Sequence, residues 1–496
     1  MKVLMIYPSF PRTFWSFKYA LKFISKKATH PPLGLLTIAA MLPIQWEKKL
    51  VDMNVDTLKD KDIMNADLVF ISAMSIQLAS VKEVVDRCKK MGVKMVAGGP
   101  LFTGEYQDFA DINHLVLNEA EITLPLFLAD LENGCAKHIY TTTEFADIEK
   151  TVIPLWSMIR MKKYASISLQ YSRGCPYNCE FCEISSLFGH KVRTKTKEQV
   201  ITELESLYRQ GWRGNVFFVD DNFIGNKKKL KTEVLPAVNK WALTRRHPFK
   251  FGTEASINLA DDHDLMQSMV SAGFNSVFVG IETPNEESLA ECNKLQNKNR
   301  DLVASIKKIQ QAGMEVTGGF IVGFDNDPPS IFERMTELIQ QSGVITAMVG
   351  LLNAPRGTRL HQRLEKENRL VKNMSGDNTD YSTNFIPKMN HDALIDGYKK
   401  IISGIYSPKP YYERVKGFLR ENKPSQRVHF SSRNGRLHLA YTGAFVKSLW
   451  WLGIRDSARV HYWKLFFWSL FRHPQLFPAA ITFSIYGYHF RKTFKL

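Results

Sequence analysis

Apolar runs of strand length alternate with amphipathic stretches along the first 145 residues. Val3–Tyr7 is an apolar run closed by Pro8, and Leu68–Ser72, Lys94–Ala97 and His114–Leu117 follow it. Leu33–Leu42, after the Pro31-Pro32 pair, has helical character. Ser80–Met91 places Val81, Val84, Val85, Cys88 and Met91 at helical spacing and stops at Gly92. Strands alternating with helices of this length predict an α/β fold, a parallel doubly wound sheet over 1–145. Such sheets bind ligands beyond the carboxyl ends of their strands. Those ends carry Ser72–Gln77, Gly98-Gly99-Pro100 and Asn118–Glu121.

A linker over 146–165, containing Pro154, leads into a second series over 166–355. Its candidate strands are Ile167–Tyr171, Val216–Val219, Lys250–Thr253, Ser276–Gly280, Val316–Val322 and Met348–Leu352. Lys197–Gln210 is a helix between them, with Val200, Ile201, Leu204, Leu207 and Tyr208 on one face. Six strands are too few for a closed eight-stranded barrel, so a partial (β/α)6 barrel is predicted. Residues 356–496 form a mainly helical C-terminal region, with a helical connection over 356–405 and an aromatic tail after it.

Charge changes this picture only at the tail. The 496 residues are 44% hydrophobic and 23% charged, a globular composition, with a net charge of +17. Residues 406–496 hold 16 Lys or Arg against three acids, so the preceding chain is almost neutral. The same tail holds Trp450, Trp451, Trp463 and Trp468. That distribution argues against a general nucleic-acid enzyme, and no RNA-binding module accompanies the aromatics. Two roles fit it: helices lying in an anionic membrane interface, or an aromatic cap on the barrel. Leu476–Phe490 carries no charge but is too short to span a bilayer. The N-terminus lacks the features of a signal peptide, and the six cysteines do not form a disulfide framework. A reducing, cytoplasmic location is expected, with a peripheral place on the inner membrane face if the tail binds lipid.

The most specific signal is Arg173-Gly174-Cys175-Pro176-Tyr177-Asn178-Cys179-Glu180-Phe181-Cys182. Its C-x3-C-x2-C spacing lies just past the first strand of the second series. Three thiolates on one short loop can hold an iron–sulfur cluster and leave one iron open. Zinc would usually take a fourth Cys or His; His190 is available at an atypical spacing.

At these residues the chain resembles the radical S-adenosylmethionine (SAM) enzymes. The resemblance implies a [4Fe–4S] cluster on Cys175, Cys179 and Cys182, with SAM at the open iron and Phe181 as the aromatic before the last cysteine. It further implies SAM contacts from Asp220 and Asp221, although the usual Gly-Gly-Glu is absent there. Glu254 and Glu282 stand at strand ends, where carboxylates accept hydrogen bonds from ribose hydroxyls or an amine. Gly280 and Gly319, the latter in a glycine-rich strand, complete this implied set.

The N-terminal region resembles the Rossmann-like cobalamin-binding domains that precede such barrels. The matching segments are Pro31-Pro32-Leu33-Gly34-Leu35, Ser72-Ala73-Met74, Ala97-Gly98-Gly99-Pro100 and Asn118-Glu119-Ala120-Glu121. The implied cobalamin contacts are Leu33, Gly34, Ser72, Gly98, Gly99, Glu119 and Glu121. Asn118 stands where Gly is common, and Asn tolerates the same backbone angles. No Asp-x-His-x-x-Gly string occurs, so no histidine is expected on cobalt; His30 and His114 are the nearby ones.

The whole chain is similar to the B12-binding radical SAM proteins with this C-terminal region, the group that includes hopanoid C-2 methylases. The tail similarity includes Ile485-Tyr486-Gly487-Tyr488-His489-Phe490. The group implies methylation of an unactivated carbon on a small-molecule or lipid substrate, with an electron donor such as flavodoxin or ferredoxin. A cyclase, an oxidoreductase or a carbon–carbon bond-forming enzyme would use the same cofactors. A corrinoid-binding sensor would need no open-iron cluster. A tRNA methylthiotransferase would need three further cysteines in its N-terminal domain, which Cys88 and Cys135 do not supply.

Overall fold

The computed structural model describes residues 1–371, 375–377, 379–421 and 435–496, with backbone alone up to 441 in the last segment. Two parallel six-stranded sheets organise the chain. The first orders its strands β2-β1-β3-β4-β5-β6: β1 Lys2–Tyr7, β2 Glu47–Asp52, β3 Leu68–Ser72, β4 Met95–Gly98, β5 His114–Val116 and β6 Ile139–Tyr140. Its central strands are buried on both faces, which is why they read as unbroken apolar runs. The edge strand β2 escapes the sequence pattern because the charged Glu47, Lys48 and Lys49 make up its first half.

A two-residue pair follows the first strand of the second series, β7 Ser166–Leu169: β8 Ser172–Arg173 runs antiparallel to β9 Arg193–Thr194. The remaining strands are β10 Asn215–Phe218, β11 Lys250–Glu254, β12 Phe274–Glu282, β13 Glu315–Val322 and β14 Ala347–Leu351. The second sheet runs β14-β13-β12-β11-β10-β7, an open barrel with β7 and β14 at its edges. Ile167, Val216, Phe251, Val277 and Val316 turn outward into the core shared with the helices. Their alternate neighbours turn inward.

Both edges are covered. Residues 27–29 run along the start of β7, and Ser166 N–H donates to the Thr29 carbonyl at 2.9 Å. Across the barrel the Tyr406 hydroxyl donates to the Ala347 carbonyl at 2.6 Å, at the first residue of β14. Tyr406 ends the helix His391–Tyr406 and packs on Phe490, 4.7 Å between ring centroids. The C-terminal helices therefore sit beneath the strand N-termini.

The C-terminal region divides its aromatics between two surroundings. Tyr462, Phe466, Trp468, Phe483, Phe490 and Phe494 are buried, and Phe490 stacks on Phe14 at 4.6 Å. The Arg491 guanidinium pairs with Asp456 inside this packing. Trp450 and Phe471 are instead 50% and 75% exposed, with Trp451, Ile454 and Phe467 also exposed. The tail is thus a cap on one side and an apolar surface on the other. Lys423, Arg427 and Arg433, part of its predicted charge, lie outside the described residues. No helix among the described residues is long and apolar enough to cross a membrane.

Candidate active site

The cysteine loop leaves β8 and is pinned from three sides. Asp220, just past β10, is fully buried and accepts hydrogen bonds from the backbone N–H groups of Tyr171 and Ser172 and from the Ser172 hydroxyl. Burial pushes its carboxyl up to about 7 despite these bonds. With those acceptors engaged, Asp220 positions the loop. Asp221 accepts from Gly174 N–H at 3.2 Å; burial raises its carboxyl to about 6. On the far side Arg363 forks onto Glu180, at 2.8 and 3.1 Å, and also reaches Asp325 and Glu291. Asn293 donates to the Asn178 carbonyl at 2.8 Å.

Within this clamp the three thiols are neighbours. Burial raises all three, Cys182 to about 12; the charge of Cys179 adds to this at Cys175, those of Cys179 and Cys175 at Cys182, and that of Glu282 at Cys179. Backbone N–H groups of Tyr177 and Ile184 point at the Cys175 and Cys182 sulfurs, and Lys294 brings positive charge. Among the described residues no group of three or more His, Cys, Asp or Glu converges on a single ion. Three thiols on one loop, with N–H groups facing sulfur, fit an iron–sulfur cluster. Cys175, Cys179 and Cys182 would hold it as thiolates, in place of the protons that burial otherwise keeps on sulfur.

The other SAM candidates fall into two groups. Glu254 faces a large cavity, and among the described residues nothing bonds its carboxyl. Burial first, then the charges of Asp221 and Asp220, raises it to about 8. Glu282 sits in the left-handed region at φ 65° where β12 ends, and its carboxylate holds Lys294 at 2.8 Å. Gly280 lacks a Cβ that would collide with that same pair, and Gly319 leaves room for the Phe278 ring. Phe181 packs beside Phe324 and the apolar cluster around Leu352 and Leu360.

All seven cobalamin candidates, Leu33, Gly34, Ser72, Gly98, Gly99, Glu119 and Glu121, line one cavity of about 2090 Å³. It begins as a slot between the first sheet and its helices, walled by Ile38, Phe70, Val96, Val116 and Leu124. Nothing lies within 4 Å of where a Gly34 Cβ would stand, so that position opens on the cavity. Gly99 has φ +97°, and a Cβ there would meet Ser72 Oγ at 2.7 Å. Gly98 is required by the sheet, since its Cβ would stand 2.5 Å from the Val116 carbonyl oxygen. Asn118 does adopt the left-handed conformation, at φ 60°. Its side-chain oxygen accepts from the Thr141 hydroxyl at 2.8 Å. Apolar slot and open loops fit a corrinoid.

Glu119 and Glu121 have partners that the sequence did not suggest. Arg173 of the cysteine loop bonds Glu119 at 2.9 Å and Glu121 at 2.8 Å, and Arg193 bonds Glu119 at 2.8 Å. These buried pairs fasten the first sheet to the cysteine loop. The signal available in the sequence was Arg173 itself, directly before Gly174-Cys175. His30 also lines the cavity; its Nδ1 lies 3.2 Å from the Ser168 hydroxyl, and burial lowers it to about 4. His114 is away from the cavity, against the Lys137 carbonyl.

Comparison with known proteins agrees with this geometry. Residues 23–128 match the B12 binding domain, 169–339 the radical SAM superfamily, and 358–496 a domain of unknown function, DUF4070. An uncharacterized methyltransferase of Synechocystis sp. is 39% identical over 99% of this chain and 91% of its own. The hopanoid C-2 methylase of Rhodopseudomonas palustris is 31% identical over 93% of this chain and 88% of its own. The chain belongs to the B12-binding radical SAM methylases.

This methylase has the cofactors of its family: a [4Fe–4S] cluster, SAM and cobalamin. Its fold is shared with the radical SAM methyltransferase TsrM of Kitasatospora setae, solved with cobalamin and a [4Fe–4S] cluster. That match has TM-score 0.62 at 13% identity and covers 90% of this chain and 99% of that one. The cobalamin-dependent radical enzyme OxsB, solved with aqua-cobalamin and SAM, matches at TM-score 0.61 and 14% identity, over 100% of this chain and 80% of its own.

Proposed function

We propose that this methylase acts on an unactivated carbon of a lipid-like substrate, at the surface of a membrane. The observation that carries the proposal is the course of the cavity. It does not end at the corrinoid loops but continues through the barrel to Phe445, Phe477, Ile481, Phe483 and Tyr486 of the C-terminal helices. A small polar substrate would have no use for that length of apolar wall. The hopanoid C-2 methylase relative acts, by its name, on a hopanoid, which supports a lipid-like substrate here.

When bound, the cluster and SAM supply a carbon-centred radical, and cobalamin carries the methyl group. The chain's own contribution is position and dryness. Arg173 and Arg193 fix the corrinoid loops relative to the cysteine loop. Phe217, Val219 and Phe278 wall the space between them, excluding water from a reactive radical. A flavodoxin or ferredoxin is the electron donor in this reading. The exposed Trp450, Trp451, Ile454, Phe467 and Phe471, with the Arg455 guanidinium 5.2 and 5.1 Å from the two Trp rings, supply the membrane surface.

The test is anaerobic reconstitution with iron, sulfide and cobalamin, then incubation with methyl-labelled SAM, a low-potential reductant and a bacterial lipid extract. Label in a lipid, together with 5′-deoxyadenosine, is the expected result. Label confined to water-soluble acceptors would overturn the lipid assignment while leaving methyl transfer intact.

A further inference from the structure

The interior of a closed parallel barrel is filled by layers of branched apolar side chains. This open barrel departs from that at its floor. The inward positions nearest the strand N-termini are Ser166, Asn215, Lys250, Ser276, Glu315 and Thr346, all on the cavity wall. Phe217, Val219 and Phe278 share the wall with them, as do Ser168 and Thr317, and the Phe217 ring and the Ser276 hydroxyl both border the space that Gly252 leaves without a Cβ. The cavity therefore carries polar groups toward the strand N-termini, far from the cysteine loop, before it continues to the aromatic residues of the C-terminal helices.

Glu315 is the least expected residue of this floor. It opens β13 and lies in register with Ser276 of β12. Its carboxyl is deep in the protein, and burial alone raises it to about 7. Among the described residues no donor, acceptor or cation meets its side chain. What remains accessible of it opens on the cavity. A buried carboxyl without a partner destabilises the fold unless something in the cavity satisfies it.

We propose that Glu315, with Ser276 beside it, receives a hydroxyl group at one end of an otherwise apolar substrate. The reacting carbon then stays near the strand C-termini, where the cysteine loop and Glu254 lie. The inference rests on the lipid-like reading above. A charged end of either sign is disfavoured, because Glu315 and Lys250 line the same cavity and one of them repels each sign. A hydroxyl both donates and accepts, so it suits a floor of carboxyl, hydroxyl, amide and amine groups. From Glu315 to Gly319 along β13 is about 13 Å at ordinary strand rise. The substrate body must bridge at least that distance between floor and mouth.

The experiment compares binding of 1-decanol and decane to the reconstituted holoenzyme, by equilibrium partitioning with radiolabelled probes. Wild type should prefer the alcohol by about tenfold beyond its partitioning into detergent, as one or two buried hydrogen bonds allow. Glu315→Leu should abolish that preference, and Glu315→Gln should keep most of it. An undiminished preference in Glu315→Leu, or none in wild type, would overturn the subsite. If Glu315→Leu does not fold, Ser276→Ala decides: a preference reduced several-fold supports the subsite and an unchanged one refutes it. The labelled-methyl assay is independent of this readout. Label in lipid with an undiminished decanol preference in Glu315→Leu removes the subsite alone. A lost preference without label in any lipid removes the lipid assignment alone.

Discussion

Arg173 shows how one side chain serves two domains. It is 12% exposed, and its two carboxylate partners come from the start of the helix Ala120–Glu132 that follows β5, more than fifty residues earlier. Removing one member of a buried ion pair leaves the other charges without compensation, at about 3–5 kcal/mol. Arg173→Met should therefore lower the unfolding free energy by that order in urea and reduce the iron retained after reconstitution. Asp325 offers a test with pH. Burial opposes its charge, yet hydrogen bonds from Arg369 and Arg363 hold its carboxyl down at about 2. The folded value lies below the ordinary carboxylate value near 4, so the stabilisation is complete above that pH and is lost as pH falls toward 2. The destabilisation caused by Arg369→Ala should be full at pH 6 and shrink between pH 4 and pH 2, read by unfolding at fixed pH. Neither arrangement was legible in the sequence, because each joins residues far apart along the chain. The cysteines were legible because their spacing is local.

At the scale of elements, strand alternation did most of the work. Residues on one face of β7, β10, β11, β12 and β13 enter the core, and those on the other line the cavity. The apolar face makes each strand visible, and β2 was missed because its lysines conceal it. Glycines divide in the same way. Gly98→Ala places a Cβ against the Val116 carbonyl of the neighbouring strand, so it should cost about 1–3 kcal/mol as overpacking. The measure is a lowered urea midpoint with unchanged slope. Gly34→Ala meets no protein atom; it should fold as well as wild type and retain less corrinoid. The reverse pattern would exchange the two roles. The helix Arg359–Lys366, part of what read only as a helical connection, proves to clamp the cysteine loop through Arg363.

At the scale of the whole molecule, the tail's charge and aromatics meet different fates. One set of rings closes the barrel floor, and another remains exposed beside Arg455. If the exposed set faces lipid, Trp450→Ala combined with Phe471→Ala should weaken flotation with anionic vesicles several-fold and leave the melting temperature nearly unchanged. Equal flotation of wild type and variant would remove this surface from the proposal. The sequence by itself determined the two parallel sheets and singled out the cysteine loop and the glycine-bearing loops as candidates, because periodicity and short motifs are local properties of a chain. Only the tertiary structure decided that Glu119 and Glu121 hold Arg173, that one cavity crosses from the loops of the first sheet to the C-terminal helices, and that Glu315, among the described residues, stands on its wall without a partner. Those facts depend on which distant faces are buried against each other, and burial is settled when the elements pack.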